Sequence, residues 1–196
     1  MTFLTVCDEN HQRPNNSGAV SAAFKETTMA TAKKAAAKRS AAPKTPDAIA
    51  LLRADHKAVS ELFEQFESTR SATKKKAIVA KICQELTVHA QIEEEIFYPA
   101  IKQALKDKEL VPEAQVEHDS VKSLIAQVEG AEPDGEMYDA KVKVMAEYVK
   151  HHVKEEQNEM FVKAKASKAN MAELGARMME RKQELMGSMN SMGSMA

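Results

Sequence analysis

His89 and Glu93 stand four residues apart in a run that reads as helix, on the same face as Ile78, Ile82, Leu86, Ile96 and Ala100. Apolar residues recurring at steps of three and four mark the buried stripe of a helix. Positions i and i+4 lie one turn above another on it. The chain must therefore bury an imidazole and a carboxylate where hydrocarbon belongs, which is costly unless something pairs with them. The pattern returns at His152 and Glu156, inside the stripe Tyr138, Val142, Met145, Val149 and Met160. His56 interrupts the stripe Leu52, Val59, Phe63 and Phe66, and His118 the stripe Ala114, Val121, Ile125 and Val128. A fold for this chain has to bring four helices together, each presenting a nitrogen or oxygen donor inward.

The rest of the chain agrees with a helical fold. Ala, Lys, Glu and Met are plentiful, aromatic residues make up only 5% and Trp is absent, and few stretches alternate apolar with polar. The 196 residues, 43% hydrophobic, give room for one core plus tails. A formal net charge of −1 gives no global field toward nucleic acid or membrane. Cys7 and Cys83 form no framework of disulfides and no Cys-x-x-Cys site. The opening apolar residues lack the basic start of a signal peptide, so a cytoplasmic location is expected.

Residues 1–45 read as a disordered tail, polar and without period at first and rich in Lys and Ala later. Met29 reads as a candidate second translation start, which would leave residues 1–28 outside the native protein. The basic run up to Lys44 is expected to be a solvated tail rather than a nucleic-acid contact. Thr45-Pro46-Asp47 signals a helix start with Thr45 as N-cap, opening a bundle domain over residues 46–165. The predicted helices run from there to about Arg70, from Thr73 to Lys106 with a kink at Pro99, from Pro112 to Glu129, and from Glu136 to Ala166. Gly130 to Gly135 is a turn. Residues 166–196 are expected to form a fifth helix, Lys168 to Met186, and a low-complexity fraying end. Short connections make the four long helices an up-down-up-down bundle.

His56, His89, Glu93, His118, His152 and Glu156 then form one constellation. His151 is turned about 100° away from the stripe that holds His152, as one helical step requires. Left unpaired, each buried polar group would cost roughly 1–3 kcal/mol. A domain with about 5–15 kcal/mol of total stability cannot carry several. A bound metal resolves this. Imidazole and carboxylate donors suit Fe, Zn, Mn or Cu. Six donors are too many for one tetrahedral ion, and two carboxylates able to bridge suit a pair of ions. Glu is absent three residues before each of these histidines, where Arg53, Leu86, Gln115 and Val149 stand, so the Glu-x-x-His pattern of ferritin-like di-iron proteins is missing. A His-Glu-x-x-His motif is missing too.

Asp55-His56-Lys57, His89-Ala-Gln-Ile-Glu93-Glu94-Glu95-Ile-Phe-Tyr-Pro99, Glu117-His118-Asp119 and His151-His152-Val-Lys-Glu155-Glu156 together resemble the haemerythrin-like HHE cation-binding family. The resemblance spans about residues 46–165. It implies a four-helix bundle holding two non-haem irons, with those six residues as ligands and Glu93 and Glu156 bridging. It departs from the oxygen carriers at two places. Lys122 stands where they have a second histidine on the third helix, and Glu156 where they have Asp. The pattern is closer to the bacterial haemerythrin-like proteins linked to peroxide, nitric oxide or iron handling. The expectation is a di-iron protein taking a diatomic or peroxide ligand. Its rivals are a peroxide-disproportionating enzyme and a bundle stabilised by structural zinc. Lys122 is expected to extend its amine to solvent rather than donate to a bound peroxide.

Overall fold

A computed structural model describes residues 45–105, 108–133 and 135–193. The tail expected over residues 1–45, with the start at Met29 and the basic run, lies outside them apart from Thr45. All regular structure among the described residues is helical. Helix α1 spans Ala48–Ser68 and α2 Ala72–Ile92, joined by three residues. A single π turn, Glu93–Phe97, leads into α3, Tyr98–Ala104. Helix α4 spans Leu110–Val128 and α5 Glu136–Glu155. A second π turn, Glu156–Met160, leads into α6, Phe161–Ala166. Helix α7 runs over Met171–Gly193.

The ends follow from local chemistry. Asp47, not Thr45, caps α1, because its carboxylate accepts from the Ala50 N–H at 2.8 Å and satisfies one of the free donors of the first turn. Ser71 does the same for α2 through the Lys74 N–H. Helix α4 begins two residues before Pro112. The proline sits in the first turn, where its missing N–H is spare. Gly130 follows the C-cap of α4 with φ +74°, a left-handed conformation that favours glycine.

Helices α1, α2, α4 and α5 close a ring, α1 against α2, α2 against α4, α4 against α5 and α5 against α1. This is the up-down-up-down bundle. Its apolar interior is divided into two blocks. One, at the end near the start of α1, holds Leu52, Ile92, Phe97, Tyr98, Ile101 and Phe161. The other holds Val59, Phe63, Ile82, Leu86, Ile125 and Met145. The inward histidines and glutamates lie at the junction of the two blocks.

The extra C-terminal helix begins later and runs further than Lys168 to Met186, and it packs along α1 and α2. Leu174 and Met178 enter the first apolar block. Between them, Gly175 lets the backbone of α7 touch the start of α1. A Cβ there would fall 2.3 Å from the Pro46 carbonyl oxygen and 2.7 Å from the Ala48 nitrogen.

Beyond the first π turn the buried face differs from the expected one. Ile96 and Ala100 are only partly buried, while Phe97, Tyr98 and Ile101 are within the core. A π turn carries one surplus residue, so the inward face slips by one position after it. Just before Pro99, the expected site of a kink, the helix leaves α geometry. The Tyr98 N–H reaches back five residues to the Glu93 carbonyl. The second π turn has no proline, and the Phe161 N–H reaches the Glu156 carbonyl in the same way. What the two π turns share is that each opens on an inward glutamate.

Candidate metal centre

The structure brings all six of the expected donors together. His56 and His118 come from within α1 and α4, His89 and His152 from the last turns of α2 and α5; each is at least 94% buried and turns Nε2 inward. His56 Nε2 lies 3.1 Å from His89 Nε2 and 3.2 Å from Glu156 Oε2. His89 Nε2 lies 3.2 Å from Glu93 Oε2, the i,i+4 pair on one helix face. His118 Nε2 lies 3.3 Å from His152 Nε2 and 3.4 Å from the same Glu93 oxygen. Two groups result, each compact enough for one ion. One is His56, His89, Glu93 and Glu156, the other Glu93, His118 and His152. Glu93 belongs to both. Glu156 belongs to the first alone, which differs from the expectation that both glutamates bridge.

The outer nitrogens explain the inner ones. His118 Nδ1 lies 2.9 Å from Glu94 Oε1 and His152 Nδ1 2.8 Å from Glu117 Oε2. His89 Nδ1 faces Asp55 Oδ2 at 3.6 Å, and the Gln157 amide is 3.1 Å from His56 Nδ1. An ionised carboxylate only accepts, so His118 Nδ1 and His152 Nδ1 donate their protons and leave each Nε2 as a bare lone pair, while His56 Nδ1 accepts from the Gln157 amide nitrogen. The lone pairs of His118 and His152 then point at each other across 3.3 Å, an arrangement that calls for a cation between them. Glu93 Oε1 and both Glu156 oxygens are buried without hydrogen-bond partners, which calls for the same thing. By these two tests the residues fit a metal.

Electrostatics follow from burial. It pushes His89 and His118 down to about 4. Burial lowers His152 as well, but the Glu117 hydrogen bond outweighs it and holds that ring above its usual range. Burial and the neighbouring Glu156 carboxylate push Glu93 well above the ordinary carboxylate range. On Glu156 burial is outweighed by His56 and His152, which hold it down to about 2.

Several residues escaped the sequence reading. Tyr98 is 1% exposed, and its hydroxyl donates to Glu93 Oε2 at 3.3 Å while lying 3.3 Å from His118 Nε2. It stands beside the group that has only three donors. Asp55, Glu94, Glu117 and Gln157 also went unassigned. The available signal was their place next to an inward residue in sequence. Lys122 is partly exposed and donates to both oxygens of Glu94 at 2.7 and 2.9 Å. Its amine therefore sits on the residue that orients His118, not on the inner donors.

Residues 47–164 match the family described as Hemerythrin HHE cation binding domain. The chain belongs to this haemerythrin family. A solved structure titled as a Hemerythrin HHE cation binding domain-containing protein from Mycobacterium kansasii superposes with a TM-score of 0.62. It is 24% identical, and the alignment covers 73% of this chain and 89% of that one, which bears on the fold alone. A curated relative named DNA nickase, from Nostoc sp. strain PCC 7120, is 27% identical over 111 residues, 57% of this chain. The match spans 31% of that relative's length, so this chain covers only about a third of the curated relative it matches. Among the described residues of this haemerythrin-family chain, no helix is long and apolar enough to cross a membrane.

Proposed function

We propose that this haemerythrin-family protein holds two non-haem irons and binds oxygen, peroxide or nitric oxide, in a stress response or in iron handling. The supporting observation is the pair of donor groups joined through Glu93, with four imidazole Nε2 atoms turned inward. His56, His89, Glu93 and Glu156 would hold one ion, and Glu93, His118 and His152 the other. When bound, the irons would supply one-electron redox steps and open positions for a small ligand. The protein supplies the rest. A cavity of about 30 Å³ adjoins the four imidazoles, walled by Val59, Leu86, Val121, Ile125 and Val149. That is room for a molecule of two or three atoms, between largely apolar walls. Tyr98 holds a proton beside Glu93 and His118, ready to hydrogen-bond a small ligand there.

Metal analysis with an optical spectrum tests the reading. About two irons per chain are expected in aerobically purified protein. The double change His89→Ala, Glu93→Ala should abolish the iron, and full occupancy in that variant would sink the ligand assignment. The three-donor second group favours a second reading, peroxide disproportionation, because it leaves more positions open to substrate. Oxygen release from hydrogen peroxide by the iron-loaded protein and not by the apoprotein is the discriminating assay. One zinc per chain with a featureless spectrum would make the centre structural, since zinc accepts the same donors.

A further inference from the structure

Helix α7 lies beyond residues 47–164, which carry the family match, yet it packs along α1 and α2, the helices that supply His56 and His89. Gly175 brings its backbone onto the start of α1, and Leu174 and Met178 enter the core there. One turn on from Met178, Lys182 Nζ donates to Asp55 Oδ1 at 2.6 Å and lies 3.6 Å from Glu85 Oε2. Exposed ion pairs contribute little, but this one is enclosed, with the side chains of Lys182 and Asp55 18% and 10% exposed. Arg181 beside it pairs with both oxygens of Glu95 at 2.7 and 3.2 Å, at the surface, and seats the helix. The second oxygen of Asp55, Oδ2, faces His89 Nδ1 at 3.6 Å. Both of those atoms are buried, and neither has a hydrogen-bond partner. The other three imidazoles meet their outer partners directly, His56 at 3.1 Å, His118 at 2.9 Å and His152 at 2.8 Å. Of the four, His89 alone depends on a group that is held from outside the four-helix ring.

We propose that Lys182 is a positioning residue for the buried centre. Through Asp55 and His89 it sets the affinity of the four-donor group, His56, His89, Glu93 and Glu156, and leaves the group of Glu93, His118 and His152 unchanged. The inference rests on the metal centre proposed above. An imidazole that binds a metal is oriented by the acceptor at its other nitrogen. Asp55 serves as that acceptor only while its carboxylate stays turned inward, and a buried carboxylate keeps such a place only when it is paired. Lys182 supplies the pairing. Without the amine, the carboxylate turns toward water and His89 loses its outer partner. His118 and His152 take their support from Glu94 and Glu117 instead, so their half of the centre does not depend on the amine. The coupling runs both ways. An ion that binds more tightly when α7 is seated must in turn seat α7 more firmly.

The test uses full-length apoprotein and Co²⁺ alone, titrated against a competing chelator in two backgrounds. His118→Ala leaves the four-donor group complete, and His56→Ala leaves the other. Lys182→Met keeps the stem and removes the amine. It should weaken Co²⁺ binding about tenfold in the first background and leave it unchanged in the second. In the protein without either background change, Co²⁺ should slow amide exchange along α7, and Lys182→Met should abolish that slowing. Equal weakening in both backgrounds would make Lys182 a packing residue and overturn the proposal. Full affinity in the first background, or slowing of α7 that persists without the amine, overturns it as well. Folded protein that takes up no Co²⁺ in either background overturns the buried centre itself, and the role of Lys182 with it.

Discussion

Asp55 sits beside His56 in the sequence but serves His89 on the next helix, and the other bracing residues repeat this. Glu94, next to Glu93, holds His118 of α4, and Glu117, next to His118, holds His152 of α5. Gln157, next to Glu156, meets His56 of α1 and closes the circle. A residue one step from an inward donor lies about 100° round the helix, on the flank that faces the next helix in the bundle. Asp55 is the best anchored of the four. Burial alone would raise its carboxyl, but the nearby His89 ring and the Lys182 hydrogen bond outweigh that and hold it below the usual carboxylate range. Lys182 of α7 reaches it at 2.6 Å. Asp55→Asn should weaken metal binding about 10- to 100-fold with helix content unchanged, measured by competition against a chelator. Equal affinity would mean that Asp55 does not orient His89. The inward donors were legible because periodicity alone exposes a polar residue in an apolar stripe. The bracing residues were not, because a carboxylate on a helix flank looks like any solvated one until its partner helix is in place.

At the scale of elements, the stripes of α1 and α4 appear in the structure as read, since an unbroken α-helix keeps one period throughout, and that of α5 does so through His152, up to the second π turn. The α2 stripe failed after Glu93. A π turn leaves no trace in hydrophobic spacing except a one-residue slip, and Pro99 offered a more familiar explanation for the same irregularity. The start of α7 was also misplaced, because its position depends on a backbone contact. Two glycines of that helix separate the effects. Gly175→Ala would drive a Cβ into the backbone of Pro46 to Ala48 and should cost about 1–3 kcal/mol. Gly187→Ala meets nothing within 4 Å and should be neutral or stabilising by up to about 1 kcal/mol, because alanine is the better helix former. Chemical denaturation of both variants checks this. Equal effects would show that α7 does not rest on the start of α1.

For the molecule as a whole, the centre ties stability to pH. The unfolded chain protonates its histidines near 6.5, while burial delays His89 and His118 to about 4 in the folded apoprotein. The unfolded state therefore binds more protons across that window. The contribution of these two rings is full above pH 6.5 and falls as pH drops toward 4. His152, held above its usual range, acts in the opposite sense but above pH 6.5, outside this window; Glu93, raised, offsets part of the loss within it, while Glu156, Asp55 and Glu117, all lowered, add to the loss at its acid end. Denaturation midpoints of the apoprotein should fall through this window. Those of the metal-loaded protein should hold to lower pH, since the ion competes with the proton for each Nε2. A flat apoprotein profile would contradict the burial of neutral imidazoles.

The division of the core into two apolar blocks has a further consequence, for cooperativity. Hydrocarbon contact is continuous within each block, but at the junction the two halves meet through imidazoles and carboxylates whose mutual attraction depends on a cation. With the ion in place the bundle should melt as one unit. Without it, the half clasped by α7 should outlast the other, and amide exchange should resolve two subunits of folding within a single domain.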